Sequence, residues 1–325
     1  MSRKRPPEAQ LTPGPTAKQS FKLMTAYHVF GALALYCVAA GVAAQDVEPR
    51  RWTPFPVGTT VVGLGVIRGE GDVAFDPLLK LTDTRVETTA TEVSVIHAFD
   101  LFGQTARVDV RLPLQHVRWQ GLLDGAPRTR DVRGLADPRV RLSVNFIGAP
   151  ALSGREFQAY HSAHASNTVV GAALAVTLPF GDYDEDKLLN LGNNRFALTP
   201  QLGVVHSQGH WSYELTGSVS LFTDNNEFQV DQRREQDPLF ALQAHVVFAP
   251  GPWFASLGAA YDWGGESRVE GVAKGDYRET LFFGLSAGIS IGQQSSVQAT
   301  YVGSRAQKAI GSDSDNVGLA YTIRF

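Results

Sequence analysis

The chain has 325 residues, 43% of them hydrophobic and 32 of them glycine, and its 29 basic and 32 acidic groups leave a net charge of −3. That balance argues against a disordered chain and offers no basic block for a nucleic acid. The one cysteine, Cys37, falls in a leader that is expected to be cleaved, so the mature chain would have no disulfide framework, thiolate nucleophile or cysteine-based zinc site.

Residues 1–44 read as an export signal. Arg3, Lys4, Arg5, Lys18 and Lys22 precede the apolar run 29–40, and Val42-Ala43-Ala44 forms a cleavage-like end before Gln45. The alternative, a retained anchor, would need about 20 apolar residues, and the run is shorter. Without the leader the chain carries 24 basic and 31 acidic groups. After residue 44 no charge-free apolar run is long enough for a spanning helix, so a membrane form of this exported chain would cross with closed strands. Residues 45–58 are expected to be a periplasmic lead.

From residue 59 onward the pattern has a period of two. Strands are expected at Thr60–Arg68, near Val86–Ala98, and at Thr105–Trp119, where Val108, Val110, Leu112 and Leu114 alternate with Arg107, Asp109 and Arg111. Further strands follow at Pro138–Phe146, Thr168–Phe180, Phe196–His206, from Trp211, at Pro238–Phe248, from Trp253, from Leu281, and at Ser296–Tyr301. A short helix is expected around Gly154–His161. The final strand, Asn316–Phe325, places Val317, Leu319, Tyr321, Ile323 and Phe325 on one face. Gly318, Ala320, Thr322 and Arg324 lie on the other.

The connections sort by length. Residues 99–104, 207–210, 249–252 and 292–295 are short, whereas 69–84, 120–136, 181–195, 224–237, 264–278 and 303–315 are long. Only 147–167 breaks the alternation. Short turns on one side and long loops on the other predict a transmembrane antiparallel up-and-down β-barrel of about 12 strands, residues 59–325, in the outer membrane of a Gram-negative bacterium. A large soluble periplasmic β protein is the competing class. Trp211, Tyr213, Trp253, Tyr261, Trp263, Tyr321 and Phe325 fall near strand ends on the apolar face, as interfacial girdles require.

The chain end resembles the C-terminal signal of bacterial outer-membrane barrels, with Gly318, Tyr321, Ile323 and Phe325 as the expected membrane-insertion signal. Gly134-Leu-Ala-Asp-Pro138, Leu178-Pro-Phe-Gly-Asp-Tyr-Asp184, Leu188–Phe196, Phe222-Thr-Asp-Asn-Asn226, Arg234–Phe240, Gly251-Pro-Trp253 and Trp263-Gly-Gly265 carry a second likeness. Together they resemble the outer-membrane transporters of the family named for the MetA pathway of phenol degradation. That resemblance implies a barrel passing small, aromatic or hydrophobic solutes, and it supplies no catalytic residue. The alternatives are a structural or binding barrel without an open pore, or a lipid-acting hydrolase. Outer-membrane lipids, lipopolysaccharide, the barrel-assembly machinery and a small-molecule solute are the expected partners; neither cofactor nor metal is implied.

Strand parity nominates the lumen-lining residues Arg107, Asp109, Arg111, Arg139, Arg141, Glu214, Gln243 and His245. Side chains two apart on one strand face lie about 6–7 Å from each other. Four guanidinium groups thus share a small patch with one carboxylate. The patch is open to two readings: a basic strip that favours anionic solutes, or an ion-pair network with Glu214, Glu92 or Glu87 that holds a narrow barrel shut. The loop Asp182–Asp186 resembles the start of a calcium loop, but Lys187 stands where glycine is needed. His161, Ser162, His164, Ser166 and Asn167 are the residue types of a serine hydrolase, set in the irregular connection.

Overall fold

The computed structural model describes residues 47–325 apart from 75–80, 124, 188–189, 230 and 293; the expected export signal lies outside them. In chain order the strands are β1 (Thr60–Ala74), β2 (Leu81–Leu101), β3 (Gln104–Leu123), β4 (Ala126–Leu135) and β5 (Arg139–Ile147). Helix α1 (Gly154–Ala163) precedes β6 (Ser166–Thr177), β7 (Ala197–Gln208), β8 (Trp211–Phe222), β9 (Asn225–Phe228) and β10 (Gln232–Gln236). Then come β11 (Leu239–Phe248), β12 (Trp253–Gly264), β13 (Ser267–Val269), β14 (Val272–Ala273), β15 (Arg278–Ile291), β16 (Ser295–Ala306) and β17 (Gly311–Arg324).

Twelve of these, all but β4, β9, β10, β13 and β14, pair with their sequence neighbours in an antiparallel ladder, and β1 closes the ring on β17. The closing seam is continuous. Val61 faces Arg324 at one end and Ala74 faces Gly311 at the other. Thr60 and Phe325 exchange backbone hydrogen bonds of 3.1 and 2.8 Å. Closure leaves the barrel strands no open edge, which is what a β-protein needs in lipid.

Alternation decides what faces out. Leu64, Leu114, Leu142, Leu202, Leu257 and Leu319 are all exposed on the outer wall, while Gly, Ser, Thr and charged residues point inward. Aromatic clusters bound this belt. Trp211, Phe248 and Trp253 cluster near the short turns, with ring centroids 4.6 and 5.7 Å apart. Phe240, Tyr261 and Trp263 cluster near the other end, at 5.7 and 6.0 Å. Trp253 and Tyr261 are eight positions apart on β12, about 27 Å of strand before tilt, which suits an apolar band about 25 Å tall.

One short turn is worth naming for its backbone. Phe102 and Gly103 both have positive φ, 55° and 79°, as a two-residue hairpin of the right twist demands, and Asp100 Oδ1 accepts from Gly103 N at 2.7 Å. The termini and short turns mark the periplasmic end by the usual barrel asymmetry.

The long connections are more regular than expected. Residues 69–84 and 303–315 hold the continuations of β1, β2, β16 and β17. Residues 120–136 hold β4, which pairs with the upper half of β3 from Leu114 to Leu123. Pro113 sits where the partner of β3 changes from β5 to β4. In 224–237 and 264–278, two hairpins join through Glu235 and Arg268 into a separate four-stranded sheet. These extensions carry many charged and polar residues, and of the few apolar ones Val86, Val117 and Trp119 in the wall and Phe228 and Val269 in the small sheet are buried on one face.

Candidate functional site

Antiparallel register sets the lumen's charges opposite one another. On β3 and β5, Asp109 faces Arg141 and Arg111 faces Arg139. Asp109 Oδ2 lies 3.1 Å from Arg141 Nε and 3.4 Å from Arg107 Nε. Arg141 is only 1% exposed. A second carboxylate completes the patch from an unexpected direction. The carboxylate of Glu48 lies 2.8 Å from Arg111 and 3.3 Å from Arg141, and Arg111 also reaches Glu92 at 3.7 Å.

Glu48 belongs to the segment expected as a periplasmic lead, which corrects that expectation. Its described part, from Val47, lies inside the barrel. Val47 packs with Ala260, Phe282 and Val302. Arg50 N and Arg51 N donate to Glu214 Oε2 at 2.9 and 3.3 Å, and the Arg51 guanidinium donates to Gln201. The segment leaves at the periplasmic end, where Val57 N and Gly58 N donate to Leu152 O and Ala98 O. The partners of Glu48 and of Arg50 and Arg51 are lumen groups far along the chain.

Trp52 fixes the segment. Gly171 on β6 and Gly203 on β7 face each other, and a Cβ at either would come within 2.6 or 1.9 Å of the indole. The two glycines therefore form a slot. Trp52 Nε1 donates to Thr216 Oγ1 at 2.7 Å, Asn145 Nδ2 donates to Trp52 O at 3.2 Å, and Ala149, Val169, Ala173 and Val205 pack around it.

Cavities lie beside this segment. An extracellular one is lined by Arg51, Arg139, Arg195, Arg278, Asp137, Phe222, Leu239 and neighbouring polar residues, Gln243 among them. A smaller one toward the periplasm is lined by Arg51, Phe55, Arg107, Ser143 and Asn145 among others. Arg51 borders both. Burial pushes the Asp137 carboxyl upward, against hydrogen bonds from Asn193 and Gly181 that favour the charged form.

All eight nominated residues lie on the inward parity. Arg107, Asp109, Arg141, Glu214 and His245 are buried, and His245 stands opposite Glu214 on the adjoining strand. Glu87, one of the candidate counter-charges, pairs in register with Arg118 and Glu70 in the wall's upper extension. Gly318, Tyr321 and Ile323 sit on β17 with Phe325 directly after it, and Phe325 is strongly exposed.

The histidines and Asn167 of the serine and histidine set make local contacts. His164 Nδ1 lies 2.7 Å from Tyr160 O, and Asn167 Nδ2 donates to Gly148 O. His161 packs at a tilt against Phe157, and burial with the neighbouring His164 lowers its proton affinity. No cluster of three or more metal-ligating side chains occurs among the described residues. The sequence reading missed Glu48, Arg51, Trp52, Asp137, Arg195 and Arg278. One signal was available for the first three: a charged, tryptophan-bearing stretch directly after the expected export signal.

The closed twelve-strand ring and its apolar belt define a bacterial outer-membrane β-barrel. The chain belongs to the family described as "Putative MetA-pathway of phenol degradation", whose sequence model matches residues 65–311. Among solved structures it is similar to an outer-membrane channel from Pseudomonas putida F1, at 23% identity over 86% of this chain and 100% of that one, with a TM-score of 0.71. The β domain of the Bordetella autotransporter BrkA (10% identity, 82% and 100% covered) gives 0.46. The transport unit of the Escherichia coli autotransporter AIDA-I (8% identity, 89% and 95% covered) gives 0.49. No curated protein matches.

Proposed function

We propose that the barrel is a channel for passive passage of small solutes, narrowed in its middle by the 47–58 segment. One observation carries this reading: a single side chain, Arg51, borders both the extracellular and the periplasmic cavity. The similar Pseudomonas putida structure is described as a channel, which supports it, and the family description puts small aromatic compounds among the candidate solutes. A second reading, a binding or structural barrel without a through-pore, is favoured by how fully Trp52 and Glu48 are engaged.

Single-channel recording in planar bilayers separates the two. The wild type should conduct weakly and Arg51→Ala several-fold more. A folded Arg51→Ala barrel that passes no current would establish the closed reading instead.

A further inference from the structure

The smaller cavity, toward the periplasm, gathers buried hydrogen-bond donors from three elements. Arg107 on β3, Ser143 on β5 and Arg51 on the 47–58 segment border it and are 7, 5 and 3% exposed. Arg107 Nη2, Ser143 Oγ and Arg51 Nε have no hydrogen-bond partner among the described residues. Buried donors left bare are costly, charged ones most of all.

Register explains the convergence. Arg107 stands directly opposite Ser143, and residues so paired have Cα atoms about 4.5–5.5 Å apart. Both side chains point into the lumen, so one acceptor atom can meet both. Arg51 enters the same space from the segment, next to Trp52 in its slot between Gly171 and Gly203. Thr105 and Asn145, which also line the cavity, are engaged elsewhere. Thr105 Oγ1 donates to Pro150 O at 3.1 Å, and Asn145 Nδ2 donates to Trp52 O at 3.2 Å. Arg107 is held on two further sides: its Nε lies 3.4 Å from Asp109 Oδ2, and its Cζ lies 5.9 Å from the centre of the Phe55 ring.

The donors decide the chemistry of the ligand. Guanidinium nitrogens donate and never accept. The nearby carboxylates are directed at other nitrogens: Asp109 Oδ2 at Arg141 Nε and Arg107 Nε, and Glu48 at Arg111 and Arg141. A water set among the three donors brings protons that need acceptors of their own, whereas an anion accepts from all three. An oxyanion such as sulfate carries acceptors on several sides, and Phe55 and Ala106 offer those nothing. We propose that this cavity is a halide site, in which a single ion held by Arg107 Nη2, Ser143 Oγ and Arg51 Nε clamps the 47–58 segment to β3 and β5. The site stands whether or not the barrel conducts.

Crystals of the mature chain soaked in sodium bromide test it directly. Anomalous difference density should show a peak within hydrogen-bond reach of Arg107 and Ser143. In detergent solution, amide hydrogen exchange of residues 47–58, read by mass spectrometry, should be several-fold slower in sodium chloride than in sodium gluconate of equal ionic strength. Ser143→Ala should lose most of that difference, with its folding checked by heat-modifiable mobility in SDS gels. Bromide peaks elsewhere but none in this cavity overturn the proposal. So do equal exchange in chloride and gluconate, equal protection by sodium sulfate, or a folded Ser143→Ala barrel that keeps the full chloride effect.

Discussion

At the scale of single residues the lumen is governed by partners that are distant in sequence. Glu48 faces two guanidinium groups that β3 and β5 place there, at 2.8 and 3.3 Å. Removing one member of a fully buried ion pair costs about 3–5 kcal/mol. Glu48 keeps 27% of its side-chain surface, so the effect here should be smaller. Glu48→Gln is expected to loosen residues 47–58 rather than the barrel. Limited proteolysis should then clip the variant near its amino end while the wild type resists. Equal resistance of the two would mean that Trp52 alone holds the segment.

At the scale of elements, β6 and β7 are shaped for what lies inside them. Gly171 and Gly203 have extended backbone, and it is the indole between them that excludes a larger residue. Gly203→Leu should lower the thermal unfolding temperature or eject the segment. Trp52→Ala in the same chain should restore stability, because the leucine then fills the vacated slot. Contacting residues typically couple by about 0.5–3 kcal/mol, and a double-mutant cycle showing no coupling would contradict the packing described. Element by element, legibility followed solvent. Strands in lipid were readable because one face must be apolar, and β12 or β17 could be placed to within about a turn. In the upper parts of β1, β2, β16 and β17, in β4, and in the small sheet of β9, β10, β13 and β14, the apolar residues, such as the buried Val86, Phe228 and Val269, are few and scattered among charged ones. Periodicity is silent there. The Arg107 to Arg141 strip was legible from parity alone, but its counter-charge Glu48 was not, since nothing local pairs residue 48 with residues 111 and 141.

At the scale of the whole molecule, the barrel and its contents are separable. The ring closes through backbone pairing between β1 and β17, and the apolar belt with its two aromatic clusters faces outward. Neither depends on residues 47–58. The lumen groups that the segment covers, Glu214, Arg111 and Arg141, would be hydrated if it were absent, at little cost in stability compared with burying them unpaired in a dry core. Whether the chain is a narrowed channel or a filled barrel therefore turns on the segment itself. Single-channel recording of the mature chain beside a variant lacking residues 47–56 tests this most directly. Both should run as folded, heat-modifiable barrels, with a small conductance for the full chain and one several-fold larger for the truncated chain. A truncated barrel that folds yet conducts no more than the full chain would contradict the account.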